Sequence, residues 1–118
     1  MSTIDISGEW ELSEQYEYGN CTAKVLIEQK DNDLHVVMET HEIQDNAPPF
    51  TVKQFLEGHL VKNRMYIRGQ RFELINAPKN ISYELDSYSG KILTEKLIEG
   101  HSLDGGGTNG TFQLKKTI

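Results

Sequence analysis

The chain is predicted to be all-β: a single domain over residues 1–118, with about eight strands closed into an antiparallel up-and-down barrel. Two observations predict this. Short runs rich in β-branched, aromatic and other apolar side chains recur at spacings of roughly 8–15 residues, separated by turn chemistry. The connections are also short, which makes sequence neighbours antiparallel spatial neighbours. Closure then removes the exposed edges that a small antiparallel sheet must otherwise defend.

A first strand is expected near residues 8–17. "TAKVLIEQ" (22–29) and "LHVVMET" (34–40) flank Lys30-Asp31-Asn32-Asp33, a hairpin signal. "FTVKQFLEG" (50–58) follows a loop with Pro48-Pro49, and "RMYIRG" (64–69) follows a turn around Lys62-Asn63. "ISYELDS" (81–87) alternates well and is expected to meet "KILTEKLIEG" (91–100) across a turn at Tyr88-Ser89-Gly90. Within 91–99 a short amphipathic helix also fits, but Gly90 and Gly100 at its flanks favour a strand. Its phase stays open, with either Ile92 and Ile98 or Leu93 and Leu97 facing in. "GTFQLKK" (110–116) ends the series after "DGGGTNG" (104–110), whose glycines suit positive φ. A phosphate-cradling loop needs a helix behind it, and here a strand follows.

Composition narrows the function classes. No apolar run approaches the roughly 20 residues that cross a bilayer. "MSTIDISGEW" lacks the basic and apolar regions of a secretion signal, so a cytoplasmic protein is expected. The one cysteine, Cys21, allows no internal disulfide and suits a reducing compartment. The sequons at Asn20, Asn80 and Asn109 then read as turn composition. The net charge of −6 is uneven: residues 1–50 carry two basic and eleven acidic side chains, whereas 51–118 carry ten basic and seven acidic. An acidic first half repels phosphate backbones, which argues against nucleic acid and leaves a cationic protein partner open.

Gly8-x-Trp10 in the first strand, about eight short strands and a basic residue in the last strand together resemble the calycin superfamily, the lipocalin-like and avidin-like eight-stranded barrels. The resemblance implies that Trp10 closes one barrel end and that a basic side chain lies across its indole. Lys116 is the candidate, since its parity matches Phe112 and Leu114. Several branches are a poor match. Avidin's additional tryptophans are missing, residues 13–21 leave no room for the helical lid of fatty-acid-binding proteins, and nothing specifies a nitrobindin-like haem site. The architecture carries over; no particular ligand does.

Alternation predicts a mostly apolar interior that includes Val36, Met38, Phe50 and Met65. Gln54 and Tyr83 stand out as polar groups near its middle, with Thr94 as a third. An apolar pocket with a few placed polar groups is the pattern of a small-molecule site, and the competing expectation is a filled core. No metal site is expected: His35, Glu39 and His41 share outward parity, and positions 35 and 41 lie roughly 20 Å apart along one strand. Neither a nucleophile signature around Cys21 nor a serine elbow is present, so an enzyme is not expected and no cofactor is implied.

The sequence therefore predicts a non-enzymatic protein holding a small, largely apolar molecule oriented by Gln54 and Tyr83. The alternative is an interaction module of the inhibitor or immunity type. It would present Glu9, Glu11, Glu14 and Glu17 to a cationic partner, with Arg64 and Arg68 as a second surface stripe beside Tyr66.

Overall fold

The computed structural model describes residues 4–16, 19–44, 48–77 and 84–117. Eight strands follow one another in chain order: β1 (Gly8–Tyr16), β2 (Gly19–Lys30), β3 (Asp33–Gln44), β4 (Phe50–Val61), β5 (Arg64–Ile75), β6 (Asp86–Thr94), β7 (Leu97–Asp104) and β8 (Asn109–Lys116). Each pairs antiparallel with the next, and β8 returns to β1, so the barrel is closed. The expected fold class is what is found.

Two hairpins use the short turns that the sequence signalled. Asp31 and Lys62 adopt positive φ of 56° and 57°, which matches the twist of tight β-hairpin connections. The sixth and seventh strands differ from expectation. Tyr88-Ser89-Gly90 is not a turn but lies inside β6, and the turn falls at Glu95-Lys96 instead. Gly90 is needed there because a Cβ would stand 2.9 Å from Phe112 Cζ, so the aromatic ring occupies the space a side chain would take. The open phase is also resolved: Ile92 and Ile98 are buried, and Leu93 is exposed.

The interior divides by chemistry along its length. The end formed by the start of β1, the end of β2 and the start of β3 is apolar throughout, with Trp10, Ile27, Leu34, Leu60, Met65 and Ile98 buried. The chain before β1 seals this end. Ile6 is fully buried, and its carbonyl accepts a hydrogen bond from Trp10 Nε1 at 2.9 Å. Gln29 pins the segment by accepting from Ile6 N at 2.8 Å and donating to the Ile4 carbonyl at 2.8 Å. The buried polar side chains Glu14, Thr40, Gln54 and Ser102 all lie in the other half.

In that second half the described pairing of β5 with β6 comes to an end. Among the described residues, β5 and β6 pair from Arg64↔Lys91 to Arg68↔Ser87. Beyond them β5 continues to Ile75 bonded to β4, after a bulge at Phe55/Leu56 that leaves Gln70 unpaired. Phe72 pairs with inward Gln54, and Leu74 with inward Val52, so both belong to the inner face. They are nonetheless 36% and 37% exposed. Among the described residues, the barrel is closed at the Trp10 end and open at this one.

Candidate functional site

The open half is built around one carboxylate. β1 alternates Trp10, Leu12 and Glu14 inward, and Glu14 is 7% exposed. Its Oε1 accepts from Tyr88 Oη at 3.1 Å and from Cys21 Sγ at 3.3 Å. Its Oε2 accepts from Ser102 Oγ. Burying a carboxylate is costly unless donors replace its water, and three strands of the barrel each supply one donor here. Tyr88 meets Phe112 edge-on at 5.2 Å between ring centroids, which fixes the phenol facing Glu14. The sequence reading placed Glu14 on an outer acidic face. That placement is corrected: Glu14 shares the parity of Trp10 and Leu12 and points inward.

Gln54, fully buried on β4, reaches across the gap that Gly69 leaves in β5. A Cβ at Gly69 would lie 2.2 Å from Gln54 Oε1. Its Oε1 accepts from Asp86 N at 2.9 Å and its Nε2 donates to Asp86 Oδ2 at 3.1 Å. The amide thus ties β4 to the start of β6 next to the last described β5–β6 pair, Arg68↔Ser87. Thr40 on β3 is 2% exposed, and its Oγ1 has no hydrogen-bond partner among the described residues. Thr40 pairs with Ala23 on one side and Val52 on the other, so Cys21 and Gln54 are its diagonal neighbours. Ala23 is the smallest inward side chain of β2.

Of the other interior candidates, Val36, Met38, Phe50 and Met65 are all buried on the inner face. They do not gather at one place: Phe50 starts β4 at the open end, whereas Met65 starts β5 at the closed end. Thr94 is corrected. It is exposed after an irregularity between Ile92 and Thr94, and its hydroxyl accepts from Lys96 N at 3.1 Å in the turn. Tyr83 and Glu17 lie outside the described residues. Sequence reasoning missed Tyr88, Ser102 and Thr40. For Thr40 the signal was available, because it continues the inward series Leu34, Val36, Met38.

At the closed end Lys116 pairs with Trp10, and its Nζ stands 5.9 Å from the indole centroid. Gly8 has a φ of 131°, a region that favours glycine, and a Cβ there would sit 3.2 Å from Lys116 Cε. On the outside, Glu9 and Glu11 are exposed, and the register sets Glu11 between Lys24 and Lys115. Arg64 and Arg68 are exposed on β5 beside Tyr66, which stacks on His59 at 5.7 Å. His35 lies 3.4 Å from Glu57 on the outer wall, apart from the interior groups. Among the described residues, no group of three or more His, Cys, Asp or Glu side chains is placed to hold a metal ion.

The fold and this interior define a closed eight-stranded antiparallel barrel with one sealed end and one open, polar end. No protein-family model matches the chain, and no curated protein matches it. Solved structures of the same architecture do. The redesigned β-barrel mFAP1, bound to DFHBI, is similar with a TM-score of 0.70 at 10% identity, over 94% of this chain and 94% of that one. The redesigned barrel mFAP0, also bound to DFHBI, gives 0.68 at 10% identity over 94% and 98%. A further redesigned β-barrel gives 0.69 at 12% identity over 96% and 92%. At these identities the likeness is one of fold.

Proposed function

We propose that this chain is a non-enzymatic binding protein that takes a small, largely apolar molecule into the open half of its barrel. One observation carries the reading: Phe72 and Leu74 belong to the inner face yet are more than a third exposed, so apolar interior surface meets solvent beyond the last described β5–β6 pair. Apolar surface at the lip of a concavity, with a few polar groups deeper in, is how small-molecule sites are built. That two barrels of similar fold are bound to DFHBI fits the same reading.

The interaction-module alternative has no such support. Its four glutamates do not share a face, since Glu14 is internal, and Glu11 is flanked by lysines on both neighbouring strands.

Titration with N-phenyl-naphthylamine, an apolar fluorophore neutral at physiological pH, tests the proposal. Saturable, blue-shifted emission is expected, weakened about tenfold by Leu74→Lys, which sets a charge on the lip without touching the core. No emission change, or binding indifferent to Leu74, would contradict it.

A further inference from the structure

We propose that the outer wall of β2, β3 and β4 is a homodimer face: a second copy of this chain docks on it, related by a two-fold axis lying along the row Leu26–Val37–Phe55. The face is on the outside of the barrel and does not depend on what the interior holds.

The first argument is an apolar row. Leu26, Val37 and Phe55 have outward parity, and the register sets them directly beside one another across three neighbouring strands. Leu26 is 44% exposed, and Val37 and Phe55 are half-buried. Single apolar side chains on a surface are ordinary, but three aligned on an outer wall form a stripe. Shallow hollows flank it on both sides, one bordered by His35 and Glu57 and the other by Lys24 and Glu39.

The second argument is the charge on either side of that row. Two residues along each strand, about 7 Å away, one side carries Lys24, Glu39 and Lys53 and the other Glu28, His35 and Glu57. A two-fold axis along the row keeps each strand facing its own copy and exchanges the two sides. Lys24 then meets Glu28 of the second copy, Glu39 meets its His35, and Lys53 meets its Glu57, each pair formed twice. Every one of these joins an acidic to a basic side chain. A two-fold axis along the strands would instead set Lys24 on Lys53, Glu28 on Glu57 and Glu39 on itself. The charges therefore select one arrangement of the two.

The third is where the pattern stops. On β1 and β5 the row continues to Glu9 and Arg71, and the same axis would face each with its own copy. Arg71 also lies over Phe55, with Cζ 3.8 Å from the ring centroid, and closes the stripe there. Like charges thus border the face and confine it to three strands. Three strands by five residues is about 14 Å by 17 Å, well below the roughly 800 Å² per partner of a standard interface. The dimer is therefore expected to be weak, with a Kd on the order of 0.1 mM.

Sedimentation velocity from roughly 10 µM to 1 mM tests this. The unaltered chain is expected to dimerise reversibly, and less so in about 0.5 M salt, which screens exposed pairs. Lys24→Glu and Glu28→Lys should each weaken self-association about tenfold, by facing like charges across the axis. Mixed one to one, the two variants should dimerise again, because each altered position then meets its opposite charge on the other chain. Both variants keep a net negative charge, so overall attraction cannot produce that rescue. Val37→Arg sets a cation on the axis against its own copy and should abolish the dimer; it decides alone should a charge variant fail to fold. A chain still monomeric at roughly 1 mM would overturn the proposal and leave the stripe to a different partner. So would a dimer that survives Val37→Arg or is indifferent to Lys24→Glu, or a mixture no more associated than its components.

Discussion

At the scale of single residues, Trp10 makes three contributions that separate experimentally. It fills the tapering barrel end, donates to the Ile6 carbonyl, and receives the Lys116 side chain. Trp10→Phe keeps much of the volume but leaves that carbonyl without its donor, so a loss of about 1–3 kcal/mol is expected in urea denaturation. Lys116→Met should cost less than about 1 kcal/mol, because a cation 5.9 Å from the ring centroid is at the limit of useful attraction. As the chain's only tryptophan, 1% exposed, Trp10 also reports on its own end of the barrel. Its emission should resist acrylamide quenching and stay unchanged when the open end is filled. Ready quenching would mean that the Ile6 seal is not closed.

At the scale of elements, glycines let the strands coil tightly enough to close. A Cβ at Gly58 would lie 1.8 Å from the Tyr66 carbonyl oxygen, which is backbone and cannot swing aside. Gly58→Ala is therefore expected to destabilise by about 3 kcal/mol. Gly106→Ala, whose nearest neighbour would be the half-buried Asp104 carboxylate at 3.4 Å, should stay within about 0.5 kcal/mol when both variants are compared by thermal melts. Equal losses at both positions would refute the close-approach argument. The strands themselves were legible, because alternation of apolar and polar residues is a local property. The β6–β7 division was not. Tyr88-Ser89-Gly90 has turn composition, and what makes it strand is distant: Phe112 fills the space above Gly90, and Glu14, 74 positions away, accepts the Tyr88 hydroxyl bond. Glu14 failed differently. Its parity pointed inward, but a run of exposed glutamates around it suggested a solvated face. Carboxylates enter interiors only when donors wait there, and donors on β2, β6 and β7 cannot be seen from β1.

At the scale of the whole molecule, the barrel is asymmetric from end to end. One half is sealed by Ile6 and Trp10 and filled with apolar side chains; the other holds the buried polar groups and, among the described residues, leaves Phe72 and Leu74 partly exposed. The sealed half supplies stability through burial. The polar half gives some of that up, above all at Thr40, which is where a binding function would sit in a fold this small. Gln54, picked out from sequence as a group to orient a ligand, bonds Asp86 through both atoms of its amide and so ties β4 to β6. The most direct test is a crystal structure of the protein grown with saturating N-phenyl-naphthylamine. Density for the probe inside the barrel, bounded by Phe72 and Leu74, is the expected result. A solidly packed interior, with the probe absent or confined to the outer wall, would contradict a binding barrel.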